Sequence, residues 1–302
     1  MFFQSYKFNK FIAIFAFMTR KLITAAIAAF AFCAYSSAQT ATSLFWKKDG
    51  IQIKEIASEK ANQYSKVGHH GPAVENSHCA LRIYFNDSGA IDVYSKSGHG
   101  MELEKYLWYP KEEQQAKEGA GCDEYRVGKT VGLGGIALWD GEKEVKLVAT
   151  KGRTAQVGEV KGGKYVRMIA YGVAYKGEFV DISIKVTMKD KSRIATIEAE
   201  ELSGKKVQFL TGVNYHEGED IAFGTGHIAV WGVHPADVSA TPGEIGAGMW
   251  FKARHFSQVE QTENMLQIIS KPCSKISTQV IAASVKEDEL NTKEKFFNYI
   301  CK

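Results

Sequence analysis

The sequence predicts an all-β chain, a large antiparallel β-sandwich with a few short helices, and three observations carry that expectation. Apolar and polar residues alternate with a period of two from Ala80 onward, turn-forming residues punctuate the runs, and only three short stretches have helical character. The alternation places one apolar face on each strand, and two such faces must cover each other.

The first forty residues differ from the rest. Lys7, Lys10, Arg20 and Lys21 precede the apolar run Leu22 to Tyr35, and Ser36-Ser37-Ala38 supplies small residues where a signal peptidase reads. We expect residues 1–38 to be a secretory signal peptide that is complete from Met18, with export to a bacterial periplasm. Cys33 does not mark a lipid anchor, because Phe32 precedes it where a small residue is needed. The apolar run is shorter than the roughly 20 residues that span a bilayer, so no membrane association is expected after cleavage. Cleavage removes four cations and no acid, so the net charge of +4 falls to zero. A chain without a basic surplus is not expected to bind nucleic acid.

The remaining residues, 39–302, contain no low-complexity linker and no internal repeat, so they are read as one domain. Strands are expected at Ala80 to Phe85, Ala90 to Tyr94, Val145 to Val148, Val180 to Met188 and Arg193 to Ala199. Asn86-Asp87-Ser88-Gly89, Asp140-Gly141, Lys161-Gly162-Gly163 and Ser203-Gly204 supply the backbone freedom of hairpin turns. Helices are expected near Glu102 to Trp108, Lys111 to Lys117 and Asn291 to Tyr299. Cys79, Cys122, Cys273 and Cys301 follow the leader; an oxidising compartment permits disulfides among them, and a domain this large also folds without them. No Cys-x-x-Cys pair points to zinc or to redox chemistry.

Four segments concentrate chemistry. His69-His70-Gly71-Pro72-Ala73-Val74-Glu75-Asn76-Ser77-His78 packs three histidines and a carboxylate into ten residues. Tyr125, Arg126 and Lys129 precede the glycine-rich Gly132-Leu133-Gly134-Gly135. Gly128-Lys129-Thr130 imitates the end of a phosphate loop, but the upstream glycine spacing is wrong and no helix pattern follows. Close backbone approach or a bulged strand explains these glycines better. In Thr211-Gly212-Val213-Asn214-Tyr215-His216-Glu217, strand geometry puts Asn214 and His216 on one face and Tyr215 on the other. The fourth segment runs from Gly226 through His227, Trp231 and His234-Pro235 to Pro242-Gly243-Glu244. Lys286 and Glu287 are weaker candidates on an edge-like strand.

Aromatic residues beside polar ones, Trp108, Tyr109, Tyr125, Trp139, Tyr215, Trp231 and Trp250, suit sugar-ring stacking as well as ordinary sandwich core. The histidines His69, His70, His216, His227 and His234 lack the spacing of a metal site, and no cofactor is expected. A glycosidase would need two flanking carboxylates, for which Glu75 and Glu244 are the candidates. Elimination next to a uronate needs a cation for the carboxylate, a base and an acid, and the inventory of these segments is richest for that chemistry.

The stretch Tyr125 to Asp140, with His69 to Asn76, Thr211 to His216 and Trp231 to Asp237, resembles a bacterial family known as a domain of unknown function and encoded among polysaccharide-utilisation genes. The resemblance extends from about residue 45 to the end of the chain. One branch of that family acts as a dehydratase on uronate oligosaccharides released from ulvan, so the resemblance implies a periplasmic carbohydrate-active enzyme. From residue chemistry alone, we expect His70, His216, Tyr125 and Tyr215 to be catalytic. His69, Glu75, Asn76, Arg126, Lys129, Asn214, His234 and Glu244 are expected to bind an oligosaccharide substrate, with Arg126 and Lys129 on its carboxylate. A glycoside hydrolase and a non-catalytic carbohydrate-binding protein are the competing expectations.

Overall fold

The computed structural model describes residues 40–302, apart from residues 99, 108, 237, 238 and 240. The leader expected at residues 1–38, Trp108 and Asp237 lie outside the described residues. Strands β1 (Ala41–Ser43), β2 (Glu55–Ser58), β3 (Ala73–Glu75), β4 (Cys79–Ile83) and β5 (Ile91–Ser95) lead into helix α1 (Glu112–Glu118). Next come β6 (Ala137–Trp139), β7 (Glu144–Val145), β8 (Arg153–Val160), β9 (Gly163–Tyr175), β10 (Glu178–Lys189), β11 (Ala195–Glu201) and β12 (Phe209–Asn214). The chain continues through β13 (Asp220–Gly224), β14 (His227–Val233), β15 (Glu244–Trp250), β16 (Glu260–Gln261), β17 (Met265–Ile269), β18 (Lys275–Ser284) and α2 (Lys293–Ile300).

These strands form three antiparallel sheets. One nine-stranded sheet, ordered β13-β14-β15-β18-β11-β10-β9-β8-β2, makes one layer. The four-stranded sheet β1-β3-β4-β5 and the five-stranded sheet β16-β17-β12-β6-β7 both pack on it. Period-two burial explains the layering: Ile182, Ile184 and Val186 of β10 and Ile197 and Ala199 of β11 face inward, while Lys185, Thr187 and Glu198 are more exposed on the other face. The inward residues share one core with Leu81, Ile83, Ile91 and Val93 of the small sheet and with Leu138, Phe209 and Val213 of the other. The expected all-β sandwich is the observed fold.

The glycine-rich stretch stitches the two smaller sheets together. Leu133 N donates to Ile91 O at 2.9 Å, Gly134 N to Gly212 O at 2.8 Å, and Ile136 N to Gly89 O at 2.9 Å. Gly132 has φ +69°, and a Cβ there would lie 2.1 Å from the Ile91 carbonyl oxygen. Gly134 has φ +67° and would meet Ile197 and Val280 of the opposing sheet at 2.6 and 2.7 Å. The close approach is therefore to the protein's own backbone and core.

Several local expectations are corrected. Glu102 to Leu107 makes turns in place of a helix: Tyr106 N donates to Glu102 O at 2.8 Å, and the amides of Glu102 and Leu103 go to the Glu75 carboxylate, at 2.9 Å in each case. Ser203-Gly204 links β11 of the large sheet to β12 of another sheet and closes no hairpin. The run expected at Val145 to Val148 pairs only through Glu144 and Val145, since Val148 N turns back onto Lys146 O at 2.9 Å. The other two helices form, each displaced by a residue or two. Helix α2 starts at Thr292, whose hydroxyl accepts from Lys295 N, and buries Phe296 and Ile300 on the outer side of β14, with Phe296 against Trp231.

Candidate active site

Two strand ends and one loop converge on a single cluster of polar side chains. Asn214 closes β12 and His216 follows it; His234 follows β14; Glu219 precedes β13, and Tyr125 and Arg126 come from the loop after α1. The backbone of Arg126 is the hub: its N–H donates to His234 Nδ1 at 2.9 Å, and its carbonyl accepts from Asn214 Nδ2 at 2.8 Å. His216 Nε2 lies 3.0 Å from the same carbonyl. A carbonyl only accepts, so Nε2 of His216 carries the proton and Nδ1 keeps the lone pair. By the same logic His234, whose Nδ1 accepts, carries its proton on Nε2.

Glu219 enters because Gly232 has no side chain. A Cβ on Gly232 would sit 2.6 Å from Glu219 Cγ, so the bare strand lets the glutamate fold across β14 toward His234. Glu219 Oε2 accepts from His216 N at 2.6 Å, and Oε1 lies 3.2 Å from His234 Nε2 in an electrostatic contact outside hydrogen-bond alignment. The rings of His216 and His234 are 4.5 Å apart, and Tyr125 packs on His234, also at 4.5 Å.

Burial sets the charges. It pushes the Glu219 carboxyl up to about 7 and His234 down to about 3, so His234 stays neutral at physiological pH. His216 is lowered by burial and by the Arg126 charge. Tyr125 is held well above the ordinary tyrosine value by burial and by the carboxylates of Glu219 and Asp92, so it remains a phenol. The Tyr125 hydroxyl, Asn214 Oδ1 and Glu219 Oε1 are three of the eight buried side-chain polar atoms without an aligned partner among the described residues. Orphaned groups are costly in a protein interior, and their concentration marks this cluster as built for something other than stability. Arg126 itself is exposed at the rim, with Nη1 3.4 Å from Ala236 O.

Of the residues expected from the sequence, Tyr125, Arg126, Asn214, His216 and His234 are thus brought together. The others are placed differently. Tyr215 points to the opposite face, where its hydroxyl donates to Thr262 O at 2.6 Å. Lys129 is exposed on a turn, and Glu244 is exposed at the start of β15. Glu75 is fully buried in an ion pair with Lys96, and Asn76 braces a turn through His78 N at 2.9 Å and Ser192 O at 2.7 Å. With Glu75 locked and Glu244 in solvent, the two carboxylates do not form a glycosidase pair. His69 is buried edge-on against Phe45, at 5.4 Å.

His70 belongs to a second cluster. Its ring stacks on Tyr64 at 3.8 Å, with Tyr84 and Tyr109 at 6.1 and 6.0 Å. Beneath them Arg82, wholly buried, pairs with Asp92 and with Asp123 at 2.8 Å, and Tyr84 donates to Asp92 Oδ2 at 2.7 Å. Sequence reasoning missed Glu219, Arg82, Asp92 and Asp123. Only Gly218, with φ +90°, hinted at the turn that redirects Glu219. Arg82 and Asp92 sit in strands where a charge reads as a solvent-facing position.

No group of three His, Cys, Asp or Glu among the described residues is arranged to hold a metal ion. Cys79, Cys122, Cys273 and Cys301 are all free thiols. Two hollows lie elsewhere, one of about 390 Å³ beside Tyr175 and Lys176 and one of about 210 Å³ beside Tyr165 and Arg167. Neither of these two is lined by histidine or by orphaned polar groups.

Among curated proteins, none matches the chain. Among solved structures it is similar to a heparan sulfate lyase HepC mutant from Pedobacter heparinus, at 10% identity and a TM-score of 0.36, covering 71% of this chain and 34% of that one. It is also similar to a 4-alpha-glucanotransferase from Thermococcus litoralis, at 12% identity and a TM-score of 0.34, covering 70% and 37%. The chain therefore spans about a third of the length of each. Residues 21–302 match the family described as Domain of unknown function (DUF4861), and the chain belongs to that family.

Proposed function

We propose that the protein is an exported carbohydrate-active enzyme that eliminates water or an alcohol from uronate-containing oligosaccharides such as those released from ulvan. One observation carries the reading: a half-buried histidine, His216, is held through Nε2 on the Arg126 carbonyl, which leaves Nδ1 as the acceptor, with its ring 4.5 Å from the buried neutral His234 and its backbone N–H on the Glu219 carboxylate. Arg126 at the rim suits the substrate carboxylate, where negative charge grows as the adjacent C–H bond breaks. His216 Nδ1 takes that proton, and the electron pair forms the carbon–carbon double bond. The neighbouring C–O bond then breaks, and its oxygen departs with the bonding pair.

The departing oxygen takes the proton back from His216, whose lowered pKa makes its imidazolium a ready donor. His234 and Glu219 position His216 and the Arg126 backbone, and Tyr125 fixes the His234 ring. The partner is an oligosaccharide, the location is the periplasm, and neither nucleic acid nor membrane takes part.

The test is to incubate residues 39–302 with a panel of uronate oligosaccharides, including those left by ulvan lyases, and to follow product masses. Loss of one water, or release of an alcohol with a new double bond, supports the reading. Gain of water on cleavage moves the assignment to hydrolysis, and binding with unaltered masses moves it to a carbohydrate-binding protein.

A further inference from the structure

The second cluster carries features that core packing does not need. His69 and His70 are consecutive non-glycine residues in the left-handed region, with φ of +52° and +61°. A side chain in that region is strained against its own backbone, and strain of this kind persists where the surroundings impose it. Here Phe85 N donates to His70 O at 2.8 Å and Gly71 N to Gly68 O at 3.1 Å, so the loop is strapped to the end of β4. The strap presents the His70 ring between Tyr64 and Tyr109, and all three, with Tyr84, are only partly buried. The guanidinium of Arg82 lies 5.3 Å from the Tyr109 ring centre, and its Nε and Nη1 are buried without a hydrogen-bond acceptor. The four partly exposed rings offer the flat apolar surface on which a sugar ring stacks, and the buried cation beneath them keeps two unsatisfied donors that packing does not explain.

The cluster is continuous with the candidate active site. Asp123 grips Arg82, and two residues further on Tyr125 packs against His234. We propose that Tyr64, His70, Tyr84 and Tyr109, above Arg82, form a second subsite that holds a pyranose ring of the same oligosaccharide, next to the ring that reacts. This inference rests on the elimination reading for its ligand class. In that arrangement His70, whose Nδ1 is engaged by Tyr64 O at 3.1 Å, is a stacking residue and not the base.

The test is calorimetric binding of a size series of uronate oligosaccharides, from di- to tetrasaccharide, to the whole chain and to Tyr109→Ala, Tyr64→Ala and Arg126→Ala. Thermal melts establish that each variant is folded, and having two tyrosine variants keeps the test open if one is not. Tyr109→Ala and Tyr64→Ala are expected to leave the disaccharide affinity unchanged and to weaken the tetrasaccharide by roughly three- to tenfold. Equal loss at every length, or no loss for the longest, overturns the subsite. Arg126→Ala is expected to weaken all lengths alike; if it changes nothing while the tyrosine variants still show length dependence, the elimination reading fails and the subsite stands. Absence of binding by the unmodified protein across the series overturns both.

Discussion

Replacing His216 with alanine separates catalysis from folding, and the structure sets the size of both effects. The Arg126 carbonyl accepts from Asn214 Nδ2 at 2.8 Å as well as from His216 Nε2 at 3.0 Å, so it stays satisfied when the imidazole is gone. The folding loss is then one half-exposed hydrogen bond and one ring contact, about 1 kcal/mol, or a few degrees in Tm. Loss of a general base, in contrast, lowers turnover by roughly a hundred- to ten-thousandfold. The assay is product formation by mass spectrometry beside a thermal melt of the same preparation, with added imidazole to test chemical rescue. The pH profile of the unmodified enzyme adds a second check. Burial and the Arg126 charge lower His216, so activity is expected to decline only below the ordinary histidine value of about 6.5. Undiminished turnover in His216→Ala, or a stability loss above about 3 kcal/mol, would refute the assignment of a base that folding does not need.

Other outcomes follow from the same geometry. Lys96→Met removes the partner of the buried Glu75 carboxylate, together with bonds to Asn76 O at 2.7 Å and Gly100 O at 2.9 Å, and should cost about 3–5 kcal/mol in denaturant unfolding. Gly132→Ala drives a Cβ to 2.1 Å from the Ile91 carbonyl oxygen at φ +69°, and a loss above about 2 kcal/mol is expected in the same measurement. Glu219 is raised to about 7 in the fold, so its contribution is fully present below its unfolded value near 4.5 and is lost as pH rises through about 7. Glu219→Gln should therefore melt higher than the unmodified protein at pH 8, and the advantage should vanish near pH 4. His69 and His234, each lowered to about 3, act in the opposite sense: their contribution is complete above about 6.5 and is lost as pH falls toward 3, so unfolding midpoints should drop across that window.

What the sequence determined by itself was local. A period of two between neighbouring residues dictates which side chains share a strand face, so Val180 to Met188 and Arg193 to Ala199 read as strands of a sandwich without reference to any partner. Hairpin turns at Asn86 to Gly89 and Lys161 to Gly163 were legible for the same reason, since each joins strands adjacent in the chain. The pairing of Asn214 with His216 on one face also followed from that period, and it delivered two of the six residues of the candidate site.

The rest depended on which distant segments meet. Glu75 and His70 sit in the same histidine-rich stretch, yet one is locked by Lys96 and the other is stacked on Tyr64, because β3 and the loop before it face different neighbours. Glu219 became part of the site only because antiparallel pairing of β13 with β14 lays it across Gly232. The glycine-rich stretch acquired its meaning from the two sheets it joins. Alternation along a strand is encoded within a few residues, whereas the burial, ion pairing and proton affinity of a side chain are decided by groups brought close through space, and those belong to the tertiary structure alone.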